Sequence, residues 1–235
     1  MRLLVLLVAV AAVCGLAGCN REPRVADLSC APVTGAEALL ERPAGGLIVI
    51  DGADAPRAGA AIGCAAAQRG ERVVIVAGDA DATALVRPAQ ALTALGARVD
   101  VFRFDSATMP EGFERRRAEE RERAYGEARN DALARSIANA RRNGAPDRMI
   151  LIVSAPDAAR APVGLSGYTW RPLGARLPPQ QTVALRAEAS LRTGVRVSLL
   201  PFEDVPEEGA ALQYDGLVEV GPATQQQANT TQSAR

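Results

Sequence analysis

The sequence predicts an α/β fold: a single domain built on a mostly parallel central sheet with helices on both faces. Apolar segments of strand length recur at 47–50, 72–77, 97–104 and 148–154, and stretches with helical composition separate them. Strands in which apolar residues do not alternate with polar ones are typical of a parallel sheet that is covered on both faces. The length of 235 residues suits one sizeable domain of this class.

The helical segments follow the strands in order. They are predicted at 57–69, at 82–96 with a break at Pro88, and within the charged stretch 111–144. The charged stretch keeps an apolar stripe in its second half, which includes Leu133 and Ile137. This pattern predicts a solvated helix with one buried side.

The C-terminal third is less regular, and the ends of the chain are set apart from the domain. Further strands are predicted at 181–189, 194–201 and 214–221. The predicted domain spans 46–223, a linker covers 19–45, and the polar tail 224–235 is predicted to be disordered.

The N-terminus has the features of a secretory signal. Arg2 precedes an apolar run at 3–13 that is too short for a membrane span, so residues 1–18 are predicted to be a signal peptide. The segment "LAGC" that ends at Cys19 resembles the bacterial lipobox, which implies cleavage before Cys19 and its diacylation. Multiple acyl chains anchor a protein stably. Asn20 follows Cys19 where an inner-membrane retention signal would have Asp, so an outer-membrane anchor facing the periplasm is expected.

Composition excludes several functional classes. The formal net charge is zero, whereas a nucleic-acid partner requires a clustered positive surface. All basic residues are arginine, and histidine is absent. The chain therefore lacks an imidazole base, a Ser-His-Asp triad and any histidine-ligated metal.

Two cysteines remain after processing and lipidation, Cys30 and Cys64. In an oxidising compartment they either form a disulfide or remain two buried thiols, and the sequence does not decide between these alternatives.

Acidic residues follow the predicted strands. In a parallel α/β sheet ligands bind at the carboxyl ends of the strands, so the residues there are candidates for a site. They are Asp51 and Asp54 after the first strand, Gly78, Asp79 and Asp81 after the second, Asp105 after the third, and Asp157 after the fourth. One interpretation is a Ca²⁺ or Mg²⁺ site made of carboxylates. The other is that these residues form turns or cap the next helices.

Several segments together resemble the haem-uptake/Tiki superfamily, which includes ChaN-like lipoproteins and erythromycin-esterase-like proteins. Asp54-Ala55-Pro56 stands where the family has Glu-x-Pro, and Cys64 stands at a helix cysteine. "YDGLVEVGPAT" at 214–224 is similar to the closing strand of the family.

The polar residues of the family pattern are mostly replaced. The Gly-Glu-x-His-Gly motif is absent, and Gly78 occupies the position of a strand-end Glu. Arg129 is kept, but Asn130 replaces the acid that follows it, and Asp157 replaces a histidine. The resemblance implies a retained scaffold with a degenerate site.

Three functions are compatible with this pattern. The first is a non-catalytic lipoprotein that binds an unknown small ligand or protein in the remnant crevice. The second is a divalent-metal-dependent hydrolase with a site rebuilt from Asp51, Asp54, Asp79 and Asp157. The third is haem binding through Tyr168, beside Trp170, because a Tyr phenolate can ligate haem iron.

Overall fold

The computed structural model describes residues 30, 32–41, 46–78, 85, 92–102, 112–142, 146–165, 168–199 and 214–222. Its helices are α1 (Ala36–Leu40), α2 (Ala55–Gln68) and α3 (Ala118–Arg142). Its strands are β1 (Val33–Thr34), β2 (Leu47–Asp51), β3 (Val73–Gly78), β4 (Arg98–Phe102), β5 (Arg148–Ile152), β6 (Val163–Leu165), β7 (Tyr168–Trp170), β8 (Thr182–Ala189), β9 (Val195–Leu199) and β10 (Gly216–Val220). Short 3₁₀ turns lie at Phe113–Arg115, Gly174–Arg176 and Pro179–Gln181.

Eight strands form one sheet in the order β1-β9-β10-β8-β2-β5-β3-β4, while β6 and β7 form a separate antiparallel pair. The β9–β10 pairing of the large sheet is antiparallel, and its other described pairings are parallel. Strand β2 is central, because Ile48 pairs with Ile150 on one side and with Val183 on the other. The predicted α/β class with a mostly parallel sheet is therefore confirmed.

Helices cover both faces of the sheet. Ile48 and Ile50 of β2 belong to a core cluster with α1 and α2, whereas Leu47 and Val49 belong to a second cluster with Leu133 and Ile137 of α3. The predicted apolar stripe of the charged helix is thus its buried side. None of the helices within the described ranges combines the length and the apolarity needed to cross a bilayer.

Helix α2 lies close to the sheet because its buried side consists mostly of alanine and glycine. A Cβ atom on Gly59 would lie 2.9 Å from the Ile152 side chain, and one on Gly63 would lie 2.8 Å from the Ile75 side chain. Large strand residues therefore fill the space that a bulkier helix would occupy, which keeps the core close-packed.

A disulfide joins Cys30 to Cys64 of α2, with their Cα atoms 5.8 Å apart. The link closes a loop with a sequence separation of 34 residues. In the chain-entropy model a loop of this size stabilises the fold by about 2–4 kcal/mol. The lead-in segment before β2 is thereby held on the α2 face of the sheet.

The ordered domain begins before the predicted boundary at residue 46. Strand β1 pairs with β9, and Leu39 of α1 is completely buried, so both elements belong to the domain rather than to a linker. Elements of two and five residues are too short to show a periodicity in the sequence. The β6–β7 hairpin is also absent from the sequence predictions, for the same reason.

Gly52 is required where the chain leaves β2. Its φ is +108°, and a Cβ atom there would lie 2.1 Å from the carbonyl oxygen of Ala187 in β8. Backbone strain of this kind typically costs roughly 1–3 kcal/mol. We expect Gly52→Ala to lower the free energy of unfolding by more than this strain alone, because the added Cβ atom also clashes with Ala187. Urea unfolding measures the change.

Gly70→Ala is the matched control for this substitution. Gly70 also has a positive φ, +82°, but nothing lies within 4 Å of a Cβ atom there. We expect its loss to be smaller, and an equal loss at both positions would contradict the close approach of β8 to Gly52.

Candidate functional site

The site is built around Asp51, the last residue of β2, whose side chain is completely buried. One carboxylate oxygen accepts hydrogen bonds from the Ala158 backbone N–H at 3.0 Å and the Tyr214 hydroxyl at 3.1 Å. The other accepts from Nη1 of Arg186 at 3.1 Å. We refer to these four residues as the Asp51 cluster.

The topology of the sheet explains why these residues meet. Asp51 and Arg186 are direct register partners on β2 and β8. Tyr214 packs against the core cluster on the α3 face of the sheet, just before β10. Ala158 lies in the turns that follow β5, the other neighbour of β2. The cluster thus forms at the carboxyl ends of β2 and β5, where parallel sheets bind ligands.

Burial and hydrogen bonding act in opposite directions on Asp51. Burial raises the pKa of its carboxyl above the usual 3.8, and the bonds from Ala158, Arg186 and Tyr214 oppose that rise. Burial, together with the neighbouring Asp51 carboxylate, raises the pKa of Tyr214 to about 12. The Tyr214 hydroxyl therefore stays protonated at neutral pH and acts as a donor to Asp51.

A second polar cluster lies next to the first. Asp157 is buried, and its carboxylate accepts hydrogen bonds from Asn130 Nδ2 at 2.7 Å and from Arg129 Nη1 at 3.2 Å. Asn130 and Arg129 lie on α3, and Asp157 directly precedes Ala158 of the Asp51 cluster. The turn after β5 therefore connects α3 to the buried end of β2.

The amide of Asn130 has one unmatched group. Because the Asp157 carboxylate accepts hydrogen bonds, the Asn130 nitrogen must point toward it and the amide oxygen must point away. Asn130 is completely buried, and its Oδ1 atom has no hydrogen-bond partner among the described residues. A buried acceptor of this kind can receive a donor from water or from a ligand.

An ion pair positions Tyr214. The next residue, Asp215, accepts a hydrogen bond from Arg160 Nε at 3.0 Å and another from the Ala184 backbone N–H at 2.7 Å. Arg160 also donates to the Thr182 carbonyl oxygen. The start of β10 is thus attached to β8, which brings the Tyr214 ring to Asp51.

The predicted site residues are only partly brought together. Asp51 adjoins the turn that carries Asp157, and Arg129 binds Asp157. Asp54 occupies the N-cap position of α2 but makes no capping hydrogen bond with its side chain; it pairs instead with Arg57 at 3.2 Å. Gly78 is buried at the end of β3, in register with Phe102.

The remaining predicted site residues lie on the separate β6–β7 hairpin or outside the described part of the chain. Tyr168 lies on β7, where it pairs with Leu165 through the backbone. Cys19, Asp79, Asp81 and Asp105 lie outside the described residues, as does most of the helix predicted at 82–96.

Arg186 and Tyr214 were missed as site residues by the sequence predictions. Arg186 is a single charged residue in the otherwise buried first part of β8, "TVALRA". A charge inside such a strand is a usable signal, because buried charges require partners. Tyr214 had no comparable signal, since its role depends on the ion pair of Asp215.

The described acids are not arranged as a metal site. Within the described part of the chain, no group of three or more Cys, Asp or Glu residues is placed to hold a cation. Asp51 and Asp157 already accept hydrogen bonds from protein donors on both of their carboxylate oxygens. Protein donors therefore take the positions on these carboxylates where a cation would be expected.

The titration of Asp51 gives a testable pH dependence. Because its folded-state pKa lies above the unfolded value of 3.8, its protonation stabilises the folded protein fully below pH 3.8. That contribution is lost as pH rises through the raised pKa. The difference in free energy of unfolding between wild type and Asp51→Asn should therefore decrease with rising pH over this window, as measured by urea unfolding.

Asp147→Asn is the control of opposite sign. Arg72 lowers the pKa of Asp147 to about 2, so that carboxylate stabilises the fold above the unfolded pKa of 3.8. The difference between wild type and Asp147→Asn should increase with rising pH between these values. A difference that increases with pH for Asp51 as well would contradict burial as its dominant influence.

Comparisons of the chain with protein-family models, with curated proteins and with solved structures give no match. The geometry of the two polar clusters and the sequence motifs are therefore the basis of the functional proposal that follows.

Proposed function

We propose that the protein is a bacterial lipoprotein, anchored through Cys19 in the outer membrane and facing the periplasm. Its domain is a degenerate relative of the ChaN/Tiki-like proteins. It binds a small ligand or a partner protein at the carboxyl edge of the sheet, and it does not catalyse a reaction there.

One observation carries the non-catalytic part of the proposal: Asp51 is completely buried, and both of its oxygens accept hydrogen bonds from the protein itself. A general base or a metal-ligating carboxylate needs an oxygen that can reach a substrate proton or a cation. Asp51 instead holds β8 and the Tyr214 segment in place.

The second cluster supports the same conclusion. Asp157 stands where the resemblance places a histidine, and it is engaged by Arg129 and Asn130. Replacing an acid by Asn130 converts a proton acceptor into a hydrogen-bond donor for Asp157. An acid and a histidine that could exchange a proton are thus replaced by an amide bonded to a carboxylate, with Arg129 as the neighbouring positive charge.

Binding is supported by the partly exposed arginines that lie beside the buried acids at the carboxyl edge of the sheet. The Arg186 side chain is 34% exposed, while its partner Asp51 is completely buried. Arg129 remains 17% exposed beside the buried Asp157. Guanidinium groups carry five N–H donors each, so both can bond an acid inside and a ligand outside. The unmatched Asn130 oxygen offers an acceptor in the same region.

Lipidation is tested on the mature protein. We expect intact-mass spectrometry to show a chain that begins at Cys19 and carries acyl groups, and we expect the protein to fractionate with the outer membrane. Cys19→Ser should abolish both. Cys14→Ser is the matched control and should change neither, because residue 14 lies within the predicted signal peptide. An unmodified mature Cys19 would contradict the anchor.

Binding is tested by identifying small molecules that copurify with the natively isolated protein. We expect a compound that is present with wild type and depleted from Arg186→Gln, because the substitution removes the charge but keeps a donor for Asp51. Arg98→Gln is the matched control. It changes an exposed arginine on β4, which is separated from β8 by three other strands of the sheet, and it should retain the compound. Retention by both variants would contradict a site at Arg186, and turnover of the compound would contradict a non-catalytic role.

Two added probes separate the alternatives. A Soret shift on hemin titration that Tyr168→Phe abolishes would establish haem binding instead. Thermal stabilisation by Ca²⁺ or Mg²⁺ that Asp157→Asn abolishes would favour the metal-dependent hydrolase.

A further inference from the structure

The turn between β8 and β9 exposes a large apolar side chain. It covers residues 190–194, and Leu191 at its tip is 100% exposed, whereas the other large apolar residues described as exposed reach 44% at most. Arg192 beside it is also exposed. Apolar surface left in water is unfavourable unless a partner covers it.

The backbone around the turn is firmly attached to the end of β10. The Ser190 N–H donates to the Val220 carbonyl at 3.0 Å, and the Gly194 N–H donates to the Pro222 carbonyl at 3.0 Å. The Gly221 N–H donates in return to the Gly194 carbonyl at 2.8 Å. The turn therefore presents Leu191 outward on a supported backbone.

The N-terminal segment enters the domain beside this turn. Val33 of β1 pairs with Val195 at the start of β9, and the Pro32 carbonyl oxygen lies 3.9 Å from the Cβ position of Gly194. Cys30, two residues before Pro32, is held by its disulfide to Cys64. The segment from Cys19 to Cys30 can span at most about 40 Å at the extended rise per residue. A lipid on Cys19 thus keeps Cys30 within that distance of the bilayer.

We propose that the 190–194 turn docks on the bilayer that holds the Cys19 lipid, with Leu191 inserted at the headgroup–acyl boundary and Arg192 at the level of the lipid phosphates. The inference rests on the proposed lipidation of Cys19. The neighbouring acids lie beside arginines, with Glu188 3.8 Å from Arg186 and Glu219 3.9 Å from Arg196. Apolar and basic side chains side by side are typical of interfacial membrane contacts.

The orientation has a consequence for the Asp51 cluster. Strand β8 runs from Arg186 toward the turn, so the carboxyl edge of the sheet is the edge that faces the membrane. A ligand of the cluster then approaches from the membrane side of the domain.

The test uses the full-length lipidated protein in vesicles of phosphatidylethanolamine and phosphatidylglycerol. Leu191→Cys is labelled with the polarity-sensitive dye NBD, whose emission shifts to the blue in an apolar environment. We expect a blue shift on reconstitution and loss of most of the emission when the lipids carry bromine near the headgroup end of the acyl chains.

Leu95→Cys is the matched control, because Leu95 is 40% exposed and precedes β4 at the opposite, amino-terminal edge of the sheet. Its label should show neither effect. Equal signals at residues 191 and 95 would overturn the docking of the turn while leaving the lipid anchor intact. Intact-mass spectrometry of the same sample is the separate readout of lipidation, and an unacylated Cys19 would overturn both the anchor and the docking.

Discussion

The buried carboxylate of Asp51 is the constraint on which the candidate site depends. Moving a charge out of water is costly unless donors replace the water around it. Three protein donors from separate parts of the chain do so here, namely Ala158, Arg186 and Tyr214. Because each donor must be correctly placed, the carboxylate couples the end of β2 to β8, to the turn after β5 and to the start of β10. The bonds that complete the fold therefore engage both carboxylate oxygens of Asp51.

The two faces of the sheet have different roles. On one face α2 brings alanine and glycine against large strand residues, which makes a dry and close-packed interior. On the other face α3 contributes Leu133 and Ile137 to the core and then Arg129 and Asn130 to the polar edge. Polar groups therefore concentrate on the α3 face, where the helix can supply them with partners.

The carboxyl edge of the sheet carries both the Asp51 cluster and the point where the N-terminal lead-in joins the sheet. The lead-in is fixed to α2 by the disulfide at Cys30 and joins the sheet through β1, next to the turn that carries Leu191. A lipid anchor on Cys19 would then act through a short tether on one particular edge. The length of this tether would limit how far that edge can move from the bilayer.

The sequence by itself determined the α/β class, the central strands and the helices α2 and α3, because these depend on local apolar periodicity and chain length. It also indicated Asp51 and Asp157, because residues that follow parallel strands gather at one edge. Arg129 was indicated by the family resemblance. Only the tertiary structure decided what these acids do. The pairing of Asp51 with Arg186 and Tyr214 joins residues separated by 135 and 163 positions in the sequence. The disulfide likewise depends on a contact distant in sequence, and β1 and the β6–β7 hairpin are too short to show a pattern. Side-chain partners are set by strand order and register, which no local pattern encodes.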